Sequence, residues 1–377
     1  MHKHHPDNER IKHRYLSFLK EAMRQSEPTL DGVAKAIARF EDYNQYRDFR
    51  LFHHQQAIGF KKHLTEQINK QTGKKLSKST LHSTCAILKK FFEWLARESG
   101  YKSRLQYSDA EYFNISNKDM RIATARRGKT APTIEQIKHV IQLMPNQTDI
   151  ERRNKALIAF TLLTGARDGA LASIKLKHVN LIDGSVFQDA RDVSTKFSKT
   201  FITYFFPVGD DIRQIVNDWI NYLKEQKLWG SDDPLFPMTE IGLNQNKQFG
   251  AIGLKRKQWS TTTPIRDIFQ QAFKNAGLPY FNPHSFRNTL VKLGEVICKT
   301  PEEFKAWSQN LGHEGVMTTF LSYGQVAEHR QNEILKQLAR PKYISEADPH
   351  ELLQGMMQYF NDSGIKLPLN KNNPFTR

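Results

Sequence analysis

The stretch from Asn282 to Tyr323 concentrates residue types that can attack a phosphodiester. It reads Asn282-Pro283-His284-Ser285-Phe286-Arg287, then Leu311-Gly312-His313, then Tyr323. A phenol can serve as nucleophile, a guanidinium can balance the charge that grows on phosphorus, and imidazoles can carry protons. Asn282-Pro283 reads as a helix start, with asparagine as cap and proline in the first turn. His284 and Arg287 then fall at i and i+3 on one face. Both lie close to a helix N-terminus, where backbone amides and the dipole favour a phosphate. Each fragment alone has a plainer reading. A capped surface turn accounts for His-x-x-Arg, a helix end for Gly312, and a half-buried core side chain for Tyr323. Two upstream fragments extend the set: Thr164-Gly165-x-Arg167, and the basic run Thr195-Lys196-Phe197-Ser198-Lys199-Thr200.

The partner such residues would meet is indicated by charge. The chain has 377 residues with 56 Lys and Arg against 39 Asp and Glu, a net charge of +17. That excess points to a polyanion, with nucleic acid ahead of an anionic membrane surface or an acidic protein. No apolar run approaches the roughly 20 residues that span a bilayer, and Met1-His2-Lys3-His4-His5-Pro6 lacks the apolar core of a signal peptide. A cytoplasmic protein is expected. Cys85 and Cys298 both sit in apolar surroundings, which predicts buried free thiols rather than a disulfide. No Cys/His spacing suggests a zinc site, and His2, His4 and His5 fall in an expected disordered terminus.

The elements that must position these residues are mostly helical. Residues 1–28 are polar and basic and read as a mobile arm. Residues 29–115 read as a helical domain, with its strongest helix from Ser79 to Arg97, where Leu81, Cys85, Leu88, Phe92 and Leu95 recur every three or four positions. Residues 116–131 form a basic linker whose Lys118, Arg121, Arg126, Arg127 and Lys129 are candidates for phosphate contact. A second domain, 132–345, opens with the capping box Thr133-Ile134-Glu135-Gln136. It continues through an apolar helix ending at Gly165 and a helical turn near Leu171. Three antiparallel strands follow, at Val179–Ile182, Ser185–Val193 and Phe201–Val208, joined by an Asp183-Gly184 turn and the Lys196–Lys199 tip. Helices resume around Ile212–Leu223 and Ile265–Phe273. Residues 346–377 carry Leu352, Leu353, Met356, Met357 and Phe360, an amphipathic helix and tail. The fold class is therefore mainly α with a small antiparallel sheet in the second domain.

The order of the fragments is more specific than any one of them. Arg167 after Thr-Gly, a lysine-bearing hairpin, His284-x-x-Arg287, Leu311-Gly312-His313 and Tyr323 together resemble the tyrosine recombinase (phage integrase) family over about Thr133 to Val326. The helix at Ser79–Arg97 resembles part of that family's core-binding domain. The resemblance implies a two-domain, C-shaped clamp around a duplex and a site-specific recombinase that cuts and rejoins DNA through a 3′-phosphotyrosyl intermediate. It implies that Arg167 and Arg287 clamp the scissile phosphate, Tyr323 attacks, and His284 and His313 hydrogen-bond the phosphate and handle the nucleophile's proton. The leaving 5′-oxygen takes its proton from Lys196; Lys199 is the alternative, and otherwise a DNA contact. No cofactor is implied, because the ester keeps the bond energy and neither ATP nor a metal is needed. The implied partners are DNA with specific recombination sites, a homotetramer at synapsis, and an accessory DNA-bending or directionality protein. The expected role is integration or excision of a mobile element, in a bacterial cytoplasm and on the nucleoid when active. A type IB topoisomerase shares the chemistry without synapsis, and an inert DNA-binding protein is the non-enzymatic alternative; the presence of every catalytic residue type argues against the latter. Two departures from the family pattern stand out. Ala170 occupies the place of an acidic residue often found three after the first arginine, with Asp168 the nearest carboxylate. The spacing from His313 to Tyr323 is one residue longer than expected. The C-terminal helix would pack on its own domain or on a neighbouring protomer.

Overall fold

The computed structural model describes residues 4–69, 73–125, 130–243 and 247–312. The chain divides into two units, Met1–Arg127 and Gly128–Arg377. The first contains α1 (Pro6–Ser17), α2 (Glu27–Tyr43), α3 (His54–Glu66), α4 (Lys78–Leu95) and α5 (Asn117–Thr124). Its core is rich in phenylalanine: Phe40, Phe60, Phe91, Phe92 and Phe113 are all fully enclosed, along with Ile37 and Leu88. The stripe predicted on α4 is buried at all five positions. Ser77 starts this helix, its hydroxyl accepting from the Thr80 amide at 3.1 Å.

Two expectations for this unit need correction. Residues 6–22 are not a mobile arm, and the terminus at His4 and His5 is not disordered. Ile11 and Tyr15, one helical turn apart, enter the core. Asn8 is fully buried; its amide donates to the Arg47 carbonyl at 2.9 Å and accepts from the Phe49 amide at 3.0 Å. Lys12 pairs with buried Glu41 at 2.6 Å. Composition misleads here because the polar residues that make the segment look solvated are satisfied inside the fold. The linker is likewise helical over Asn117–Thr124, where Ser116 caps α5 and Lys78 of α4 meets Asp119 at 2.8 Å.

The second unit contains α6 (Ile134–Leu143), α7 (Asp149–Thr164), α8 (Asp168–Ser173), β1 (Val179–Asn180), β2 (Ser185–Gln188), β3 (Phe201–Tyr204), α9 (Asp210–Asn221), β4 (Met238–Leu243), β5 (Phe249–Lys255), α10 (Thr263–Asn275), α11 (Pro283–Ile297) and α12 (Pro301–Asn310). The capping box at Thr133 and Gln136 is formed. From Ala156 to Thr164, α7 is buried at every position, as a helix apolar on all sides must be; α9 and α11 pack against it. The predicted three-stranded sheet is present in the order β1-β2-β3, antiparallel, with Val186 opposite Thr203. Its strands are shorter than expected, because the chain leaves β2 after Gln188 for a loop built on Asp189 and leaves β3 at Tyr204 to meet α7, the Phe206 amide donating to the Leu163 carbonyl at 2.8 Å. The β4–β5 hairpin was not anticipated. It is tied to α7 by Arg153, which is buried, donates to the Pro237 carbonyl at 2.7 Å and stacks 4.8 Å from the Trp259 ring. Burial pulls its guanidinium down to about 10.

Both cysteines are free. Cys85 is buried, which pushes its thiol up to about 11; Cys298 is only half-buried, against expectation, because α11 ends there and its last turn faces outward. No helix among the described residues is long and apolar enough to cross a membrane.

Candidate active site

The site is assembled where three chain segments converge. The first is the end of α7. Gly165 takes a left-handed conformation (φ +62°), and a Cβ there would lie 2.9 Å from Leu311 and 3.0 Å from Leu290. Only glycine meets both demands without strain. The turn delivers Arg167 to the N-terminus of α8, where it is half-exposed.

The second segment is α11. Its start forms as the sequence predicts: the Ser285 amide donates to Asn282 Oδ1 at 3.1 Å, and Pro283 occupies the first turn. His284 is exposed, whereas Arg287 is 3% exposed and reaches inward. Arg287 Nη1 donates to the Gly165 carbonyl at 2.6 Å, and Nη2 donates to the Leu311 carbonyl. One guanidinium thus joins the turn before Arg167 to the turn before His313. The third segment, the end of α12, is held from the other side by β3. The Asn310 carboxamide pairs with the Tyr204 peptide, accepting from its N–H at 2.6 Å and donating to its carbonyl at 2.8 Å. Thr203 Oγ1 donates to the Asn310 carbonyl at 3.1 Å and accepts from Gln188 at 2.9 Å. Gly312 also has positive φ, and a Cβ there would come within 2.7 Å of the Phe201 ring.

The lysine-bearing loop between β2 and β3 is anchored on α8. The Ser194 amide donates to Ser173 Oγ at 2.7 Å, and a Cβ on Gly169 would sit 3.1 Å from the Ser194 carbonyl. Asp192 is gripped by Lys177 at 2.7 Å and Lys175 at 3.1 Å, which hold its carboxyl far below the usual range. Lys196 stands on the loop tip with Nζ 4.7 Å from the Phe197 ring centroid. Lys199 lines an open cavity of about 1090 Å³ along β3 and α12, with Phe201, Trp307 and Gly312. Asp168 pairs with Arg266 of α10 at 2.5 Å, and Ala170 is buried in the core. Lys118 and Arg121 are exposed on α5. Arg126, Arg127, Lys129, His313, Tyr323 and the C-terminal helix lie outside the described residues. The His5, Asp7 and Asp48 cluster has metal-like spacing, but Arg50 bridges its two carboxylates at 2.9 and 3.1 Å, which leaves no reason for a cation there. Asn310 escaped sequence reasoning; its signal was a polar residue directly before an apolar-glycine helix end.

Residues 133–330 match the model of the Phage integrase family. The chain belongs to that family. Members cut and rejoin DNA, so this integrase is a site-specific DNA recombinase acting through the family's phosphotyrosyl chemistry. It is 21% identical over 326 residues to a tyrosine recombinase XerC from Halalkalibacterium halodurans, spanning 85% of this chain and 94% of that one. A XerC from Lactobacillus delbrueckii subsp. bulgaricus is 23% identical over 252 residues, 66% of this chain and 72% of that one. In fold the integrase resembles a lambda integrase dimer bound to a core site, with a TM-score of 0.57, 12% identity and coverage of 90% and 99%. It also resembles the Tn1549 transposon integrase with circular intermediate DNA, with a TM-score of 0.51, 16% identity and coverage of 87% and 99%.

Proposed function

We propose that this recombinase integrates or excises a mobile element, with Tyr323 as nucleophile and Arg167, Arg287, His284, His313 and a hairpin lysine around the scissile phosphate. The observation that carries the residue assignment is the Arg287 bridge between Gly165 and Leu311, which gathers three motif segments far apart in sequence. The Tyr323 oxygen bonds to phosphorus as the bond from phosphorus to the 5′-oxygen breaks. The leaving oxygen takes a proton from Lys196, with Lys199 as the alternative donor, and a histidine accepts the phenol's proton. Arg167 and Arg287 meet the charge that develops on the non-bridging oxygens. A guanidinium carries five N–H donors, and in Arg287 two of them tie the turns at Gly165 and Leu311 together. Strand rejoining reverses the step with a different 5′-hydroxyl.

In this reading residues 29–115 grip DNA, and Lys118, Arg121, Arg126, Arg127 and Lys129 contact phosphates. Four protomers form the synapse, a DNA-bending or directionality protein assists, and the C-terminal helix packs in cis or on a neighbour. The protein works in a bacterial cytoplasm, on the nucleoid. Tyr323→Phe is expected to abolish covalent adducts on a nicked suicide duplex while retaining DNA binding; an undiminished adduct removes Tyr323 from the mechanism. Sequencing the DNA trapped by the native chain identifies the element, and relaxation of a plasmid without a special site would favour a topoisomerase.

A further inference from the structure

The loop between β2 and β3 carries a side chain that the fold does not use. Phe197 is 76% exposed and belongs to neither hydrophobic core nor to the residues packed against them. Its backbone is left-handed (φ 61°, ψ 25°), and Ser198 follows at φ 51°. Two consecutive non-glycine residues in that region are strained, and an aromatic ring in water gains nothing from burial. The surroundings nevertheless impose this conformation. Thr195 Oγ1 donates to the Lys199 carbonyl at 2.7 Å, the Ser198 amide donates to the Thr195 carbonyl at 3.3 Å, and the Ala190 amide donates to Thr200 Oγ1 at 3.0 Å. The Ser194–Ser173 bond then fixes the loop to α8, the helix whose N-cap is Arg167. A strained residue held outward by a braced loop marks a contact surface rather than a packing accident.

We propose that Phe197 is a wedge that enters the duplex beside the scissile phosphate and partly unstacks one base step. The proposal rests on the recombinase reading above, which puts the hairpin lysine at the leaving oxygen. The chemistry of the tip fits this partner. An apolar ring between Lys196 and Lys199 matches a target that is apolar between base pairs and anionic at its flanks; an apolar protein ridge would not call for both cations. Apolar wedges of this kind kink DNA by opening a step from the minor-groove side. Lys196 Nζ rests 4.7 Å from the ring centroid, so insertion of the ring would also carry that ammonium towards the phosphate. Unstacking next to the cut also loosens the first bases that must leave one duplex and join another.

The test uses the full chain and suicide duplexes carrying a sequence recovered by covalent capture of the native protein on randomised DNA. One set carries 2-aminopurine at the step beside the cut, and a second set carries a single mismatch there. The native chain is expected to form the adduct and raise 2-aminopurine fluorescence. Phe197→Ala is expected to lose the fluorescence rise and to cleave the paired duplex at least about tenfold more slowly, because unstacking is costly, while the mismatched duplex restores its rate to within about threefold. Phe197→Leu keeps an apolar wedge without a π face and is expected to retain most of both signals. Phe197→Gly, which relieves the backbone strain, is expected to melt no lower than the native chain. Native rate and fluorescence in Phe197→Ala would overturn the proposal. So would a slow variant that the mismatch does not rescue, which would assign the ring to holding Lys196. Failure of the recombinase reading is distinct: the native chain itself would yield no adduct, and the wedge would fall with it.

Discussion

Replacing Arg287 by lysine keeps the charge and removes the fork, which separates phosphate binding from site assembly. The guanidinium reaches carbonyls on two segments, Gly165 at 2.6 Å and Leu311. Both residues are buried, Leu311 completely. A lysine ammonium is a compact charge on a flexible stem and can serve one of these carbonyls but not both. The other then loses a charge-assisted donor and stays out of reach of water. Stranding a buried acceptor costs about 1–3 kcal/mol and a hydrogen bond to a charged group contributes about 1.5–3 kcal/mol. The two figures overlap, so the expected loss is about 2–4 kcal/mol. In a unit of this size each kcal/mol moves the melting temperature by roughly 2–4 °C. Arg287→Lys should therefore melt about 5–15 °C lower by calorimetry of the full chain. Below that melting point it should bind DNA and form adducts slowly, because the Gly165 and Leu311 turns no longer share one anchor. A variant that loses cleavage yet melts within about 1 °C of the native chain would refute the reasoning and leave Arg287 as a phosphate ligand alone.

Two further substitutions probe what surrounds that anchor. Asn310→Leu removes both bonds to the Tyr204 peptide and should slow cleavage roughly ten- to a hundredfold, since misplacement by about an ångström carries such a cost, with little change in DNA affinity; equal cleavage rates would dismiss Asn310 as a positioning residue. Asp192→Asn tests the loop anchor through pH. Hydrogen bonds from Lys177 and Lys175 hold the Asp192 carboxyl below its ordinary value, so its stabilisation is complete above the unfolded-state pKa of about 4 and is lost as pH falls towards the folded value. The variant should melt lower than the native chain at neutral pH and converge with it in acid; a gap that persists or widens in acid would contradict the assignment.

Local pattern was enough for much of this molecule. Leu81 to Leu95 share one helical face whatever surrounds them, so α4 was legible from periodicity, and its buried stripe is the predicted one. Asn282-Pro283 started α11 through contacts within one turn, and Asp183-Gly184 closed β1 onto β2 by local turn chemistry. The order of the boxes from Arg167 to Tyr323 sufficed to point to the family, because each box is a short-range sequence motif.

Long-range partners decided the remainder. Composition made residues 6–22 look solvated, but Asn8 finds its acceptor and donor at Arg47 and Phe49, and no local rule foretells such a pairing. The β4–β5 hairpin depends on Arg153, whose carbonyl partner at Pro237 lies 84 residues away. His284 and Arg287 were legible as neighbours on one helix; that one is exposed and the other turned into the core follows from what α11 packs against. The same holds at the centre of the site. Arg287 and Gly165 are 122 residues apart, and Asn310 meets Tyr204 across 106. The sequence by itself determined which chemical groups this recombinase carries and, for His284 and Arg287, that one helix start holds them both. Only the tertiary structure decided that a single guanidinium and a single carboxamide would draw those elements together, because hydrogen bonds between distant segments depend on packing that no local window contains.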